Sequence, residues 1–121
     1  MSTFISKQLR EIEVEEAHGG SGARKLIFSD EEAVSSNLKA FTKGYLAPQS
    51  AFDWHSHEEI DEFFICEQGR GLLQLDTGEA FKYVPGSTYY IPSGLKHRIE
   101  AWGEDVSEFY FVRLRADRNS K

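Results

Sequence analysis

The chain holds one cysteine, Cys66, among 121 residues. No disulfide can therefore form within it, which fits a reducing compartment. Proline is scarce, at three residues, and methionine scarcer, at one. The longest purely apolar run is only a few residues, so no segment is suited to span a bilayer as a helix. Met1 to Arg10 lacks the basic-then-apolar pattern of a secretory signal. Basic side chains are in deficit: 14 Lys and Arg against 20 Asp and Glu leave a net charge of −6. That balance argues against a nucleic-acid partner, which needs a basic face to displace counterions from phosphates. There is no internal repeat, and no glycine-rich stretch has a nucleotide-binding context. Together these absences predict one soluble, cytoplasmic domain that binds neither nucleic acid nor membrane.

What the chain has in plenty is aromatic surface, with nine Phe, five Tyr and two Trp. Hydrophobic residues make up 40% and charged ones 28%, a composition that builds a core. Residues 1–24 are the least core-like part and read as an N-terminal arm. Ile5, Leu9, Ile12 and Val14 suit an edge strand or a short helix equally. His18 sits in the glycine-rich end of the arm and reads as an ordinary solvated side chain in a hinge. Asp30-Glu31-Glu32, after Leu26-Ile27-Phe28, reads as a turn or one helical turn, and only 30–38 invites a helix. From Asn37 onward short β-type runs recur: 38–46, 52–57, 62–67, 71–76, 80–84, 88–91, 98–102 and 108–114. Gly, Pro and Asp separate them, as tight hairpins require. So many short strands cannot shelter one open sheet, so an all-β fold follows, a small barrel or two packed sheets.

Three histidines lie in or beside these runs. His55 and His57 are two apart, so on a strand their side chains share a face and can reach one ion. Asp61 and Glu62 are the acidic candidates that follow. Glu62 alternates with Phe64 and Cys66, whereas Asp61 shares a face with Phe63 and Ile65, and composition does not decide which set points inward. His97 arrives just beyond the Pro92-Ser93-Gly94 turn. Imidazole and carboxylate together suit Fe, Mn, Ni, Cu or Zn.

In order, the chain reads His55-Ser56-His57, four residues, Glu62, six residues, Gly69. It then reads Gly86, five residues, Pro92-Ser93-Gly94, two residues, His97. These two stretches, 55–69 and 86–97, resemble the two motifs of the cupin superfamily, and the short gap between them is similar to that of small single-domain microbial cupins (cupin-2 type). The resemblance implies a small β-barrel or double-sheet jelly roll over residues 25–121. It also implies one divalent transition metal ion held by His55, His57, Glu62 and His97. It selects Glu62 over Asp61, because only Glu62 stands six residues before Gly69. Two positions depart from the motifs. Gln49 stands where the first usually begins with Gly, and Ala101 where the second closes with Asn, a residue that is not a metal ligand in the family.

Phe64, Cys66, Phe109, Phe111 and Arg113 alternate on runs that, by the resemblance, fold around the metal, which makes them candidate pocket residues. Aromatic alternation is as well suited to plain core, Cys66 to a small buried hydrophobe, and Arg113 to the surface or to a substrate carboxylate. Tyr45, Tyr89 and Tyr90 are possible proton donors that the sequence does not rank. The resemblance leaves the reaction open, since cupins include oxygenases, isomerases, lyases and binders. The expectation is a metal-dependent enzyme on a small organic molecule, with Glu62 as a base. A non-haem dioxygenase comes slightly ahead of a non-redox isomerase, epimerase or lyase on a sugar acid or small carboxylate, and a non-catalytic metabolite binder comes third. Cupin lyases that cleave sulfonium acids place a Tyr where this chain has Phe64, which counts against that activity. Apolar residues on both faces of several strands further predict a homodimer, with the arm able to cross to the partner.

Overall fold

The computed structural model describes residues 4–17, 22–33 and 36–116; His18 and the hinge residues 19–21 lie outside the described residues. In chain order the strands are β1 (Glu15–Ala17), β2 (Gly22–Ser29), β3 (Leu38–Leu46), β4 (Ala51–His55), β5 (Ile60–Gln68), β6 (Arg70–Leu75), β7 (Ala80–Tyr83), β8 (Thr88–Ile91), β9 (His97–Trp102) and β10 (Ser107–Arg115). Every run read from the sequence contributes a strand, but the run 52–57 stops at His55, so His57 lies beyond the strand and does not share its face by alternation. The one α-helical turn among the described residues, α1 (Asp30–Ala33), is set by its sequence. Ser29 Oγ accepts the Glu32 N–H at 3.3 Å, and Glu32 Oε1 accepts the Ser29 N–H at 3.0 Å. This reciprocal cap satisfies donors that a short helix cannot satisfy itself.

The strands form two antiparallel sheets, a double-sheet jelly roll. One has the order β1-β2-β3-β10-β5-β8 and the other β4-β9-β6-β7. Their inner faces meet in a core of Leu46, Phe52, Phe64, Cys66, Leu73, Tyr83, Ile91, Ile99, Ala101, Phe109 and Phe111. Period-two alternation makes this possible: β5 buries Glu62, Phe64 and Cys66 and exposes the residues between them, and β10 buries Ser107, Phe109 and Phe111. Burying each such Phe contributes about 1.5–3 kcal/mol. Inside the core, Tyr83 and Ser107 hydroxyls share a 2.7 Å hydrogen bond, so the tyrosine's polar end is satisfied.

The two outer faces differ. On the small sheet, Arg98 bonds Asp53, Gln74 and Glu100, and the Trp102 indole N–H donates to Glu100, so a polar lattice covers that surface. On the large sheet, Phe63, Ile65 and Tyr90 are 44, 42 and 49% exposed. Lys43 is buried there between Glu67 and Glu108, at 2.8 and 3.0 Å. Part of this sheet is covered within the chain, since Lys7 Nζ donates to the Ile27 carbonyl and Lys25 Nζ to the Leu9 carbonyl.

Gly69 and Gln49 are two of the turn positions that sit in left-handed backbone. Gly69 has φ 97°, and a Cβ there would lie 2.7 Å from Ser107 Cα. Gln49, standing where the cupin motif has Gly, has φ 59°. An L-residue in that region is strained by about 1–2 kcal/mol, partly offset in glycine by its greater unfolded-state freedom. Gly69→Ala is therefore expected to lose more than about 1 kcal/mol in urea unfolding. Gln49→Gly is expected to gain roughly 0.5 kcal/mol. A loss at both positions would contradict this account of the backbone.

Candidate metal centre

His55 is the last residue of β4 and pairs directly with His97, the first residue of β9. The ladder thereby sets their rings side by side, with centroids 4.4 Å apart. His57 lies two residues beyond β4, where the chain turns toward β5 through Glu59, itself left-handed at φ 57°. Two hydrogen bonds fix this loop to the Pro92-Ser93-Gly94 turn. The Gly94 N–H donates to the His57 carbonyl at 2.9 Å, and the Ser93 N–H donates to Asp61 Oδ1 at 2.8 Å. The turn that delivers His97 is thus pinned to the segment that carries His57. Ligand atoms of His55, His57 and His97 all lie within 4.8 Å of one another, a group that could hold a metal ion.

Backbone carbonyls select the tautomers. His55 Nδ1 is 2.6 Å from the Asp53 carbonyl and His97 Nδ1 is 2.9 Å from the Leu95 carbonyl. A carbonyl only accepts, so each Nδ1 carries the proton and each Nε2 keeps its lone pair. Burial lowers the pKa of His57 to about 4, against the pull of the Glu62 carboxylate. Burial likewise lowers that of His97, against its bond to the Leu95 carbonyl. Burial thus favours the neutral form of His57 and His97, the form that ligates metal. Among the described residues, His57 Nε2 and His97 Nε2 are buried without a hydrogen-bond partner. Two orphaned ring nitrogens beside a third imidazole fit a cation of the soft-to-intermediate kind that nitrogen donors prefer.

Glu62 stands beside this group. It is 1% exposed, with Oε2 3.7 Å from His57 Nε2 and Oε1 3.8 Å from His97 Nε2. Arg113 lies directly opposite it on β10 and donates from Nε to Oε2 at 2.7 Å. Asp61 instead faces the turn, as its bond to Ser93 shows. Of the remaining candidates, Phe64, Phe109 and Phe111 are 2, 0 and 3% exposed and pack on one another at centroid distances of 5.2–5.9 Å. Tyr89 stacks on Phe64 at 5.2 Å on the inner side. Tyr90 pairs instead with Phe63 on the outer face, and Lys43 lies over the Tyr45 ring. The Arg113–Glu62 pair was not read from the sequence. Both alternations were visible, but the cross-strand register that joins them was not.

A family model of the cupin domain matches residues 44–113. An uncharacterized protein of Methanocaldococcus jannaschii is 41% identical over 49 residues, 40% of this chain, and the chain spans only 38% of that relative's length. Among solved structures, a predicted oxalate decarboxylase from Thermotoga maritima superposes with a TM-score of 0.82 at 24% identity, covering 92% of this chain and 99% of that one. Ectoine synthase from P. lautus superposes with a TM-score of 0.79 at 15% identity, covering 94 and 80%. At these identities the structural likenesses establish the fold.

Cys66 is 1% exposed within the core, and its thiol points to the Gln68 carbonyl at 3.3 Å. Burial pushes its pKa up to about 11. Because the thiolate is the reactive form, only about one molecule in a thousand is reactive at pH 8. The folded protein is expected to resist a thiol reagent at pH 8 and to react stoichiometrically once unfolded. Rapid labelling of the folded form would contradict this placement.

Proposed function

This chain belongs to the cupin domain family, and from that premise we propose that it is a metal-dependent enzyme performing non-redox chemistry on a small carboxylate-bearing molecule. The observation that carries the reading is the pair of buried, unpartnered imidazole nitrogens beside a buried, ion-paired carboxylate. His55, His57 and His97 would hold one divalent transition ion, with Glu62 as a fourth donor. The ion supplies Lewis acidity toward a substrate oxygen. Glu62, able to take and return a proton within that site, suits an isomerase or lyase. Arg113 makes no hydrogen bond among the described residues other than that to Glu62, leaving terminal nitrogens that suit a substrate carboxylate. The solved structure named a predicted oxalate decarboxylase is that of a protein whose name implies a small dicarboxylate substrate. Dioxygenation drew its appeal from an apolar pocket, and the phenylalanines that would line one are packed against each other.

Metal content after dialysis against a mild chelator tests the centre. His57→Ala is expected to lose stoichiometric metal. Asp61→Asn should match the parent, since an amide oxygen still accepts from Ser93. Glu62→Gln should fall between them. An Asp61→Asn loss larger than that of Glu62→Gln would overturn the assignment of Glu62. For the reaction class, the iron-loaded protein should take up no oxygen over a panel of small hydroxy and keto acids. It should exchange a carbon-bound proton of at least one with solvent deuterium. Oxygen uptake would return the reading to a dioxygenase.

We further propose a homodimer through the outer face of the large sheet, supported by its half-exposed Phe63, Ile65 and Tyr90. Sedimentation at low micromolar concentration should give twice the chain mass of 13.8 kDa. A monomer there would mean that the arm's contacts with β2 suffice to cover the sheet.

A further inference from the structure

One carboxylate faces two positive claims. Glu62 Oε2, the oxygen that Arg113 Nε holds at 2.7 Å, is also the oxygen nearest His57 Nε2, at 3.7 Å. An ion seated among the imidazoles needs a carboxylate oxygen at about 2.0–2.2 Å. Oε1, 3.8 Å from His97 Nε2 and not bonded to Arg113, could provide it, but only from a carboxylate whose charge the guanidinium already balances. Both partners of the ion pair are shielded, with side chains 2 and 17% exposed, so solvent screens the competition weakly.

We propose that Arg113 is a positioning residue that competes with the metal for Glu62 and so weakens the centre's grip on its ion. The proposal rests on the metal-centre reading above. Its physical basis is charge balance. With Arg113 present, the carboxylate is compensated before any metal arrives, and the site is neutral. Without it, a buried negative charge stands beside the imidazole group, and a divalent ion becomes its counter-charge. Removing the arginine should therefore tighten binding, with most of the gain passing through the freed Glu62 carboxylate and a smaller part through relief of the direct repulsion between guanidinium and ion.

The test is a titration of the metal-free full chain with Co²⁺ alone, in competition with a chromophoric chelator. It compares the parent, Arg113→Met, Glu62→Gln and the double variant, each checked for folding by circular dichroism. Co²⁺ also reports its coordination through its visible spectrum, which a purely structural effect of Arg113 would not change in a Glu62-dependent way. Arg113→Met is expected to bind at least tenfold more tightly with an altered spectrum. The double variant should gain less than threefold over Glu62→Gln. Unchanged or weaker binding by a folded Arg113→Met, or a gain as large in the Glu62→Gln background as in the parent, overturns the proposal. If Arg113→Met does not fold, Arg113→Lys carries the test. A mobile ammonium holds the carboxylate less well than the planar guanidinium, so threefold tightening is expected and parental affinity overturns the idea. His57→Ala separates the two failures. If it binds Co²⁺ as the parent does, or the parent binds none, the metal-centre reading fails and the proposal with it. If binding depends on His57 but not on Arg113, only this proposal fails.

Discussion

The geometry of the site depends on one join, the pinning of the Pro92–Gly94 turn to the loop between β4 and β5. Two backbone amides in that turn, of Ser93 and Gly94, donate to Asp61 and to the His57 carbonyl. Loops ordinarily wander, and a ligand set split between two of them would be free to spread. Here the ladder fixes His55 against His97, and the join fixes His57 relative to the turn that leads into β9. Three side chains from two distant stretches thus behave as one unit. Asp61 has a role in this construction through its bond from Ser93.

Electrostatics at the centre work against the core around it. The inner faces of both sheets are almost wholly apolar, yet Glu62 and His97 are buried among them. A lone carboxylate in such surroundings is costly, and breaking a buried ion pair by removing one partner typically costs about 3–5 kcal/mol. Arg113 meets this need from the neighbouring strand, because the antiparallel register sets it opposite Glu62 and not opposite Phe64. The histidines meet it differently, by remaining uncharged. The site therefore combines neutral donors with a compensated anion, which lets polar groups persist inside an aromatic sandwich.

Much of this was legible in the sequence. Period-two alternation on Glu62–Cys66 and Phe109–Arg113 identified the inward faces as sets, and glycine, proline and aspartate marked the turns. β2 escaped notice for a physical reason. All of its residues are half-buried, with no alternation, because residues 7–9 lie against it on one side and its register slips between Leu26 and Phe28. The choice between Asp61 and Glu62 rested on motif spacing, since both alternations carry apolar residues. In the structure Glu62 is buried beside the imidazoles and Asp61 bonds the turn. Cross-strand partners such as Arg113 remained invisible because local patterns fix which face a residue takes, not which residue it meets.

The contrast between the two outer faces has a consequence for how far association can go. The small sheet presents a continuous mesh of guanidinium, carboxylate and indole groups already bonded to one another. Such a surface offers an approaching molecule little that water does not. Apolar exposure is thus clustered at the centre of the large sheet, whereas on the small one it is left to Trp54 and Phe81, 41 and 42% exposed on the edge strands β4 and β7. A molecule sticky mainly on one side would meet its copy back to back and then present its better-wetted surfaces. Head-to-tail stacking into fibres, which requires two complementary sticky sides, is disfavoured by that imbalance.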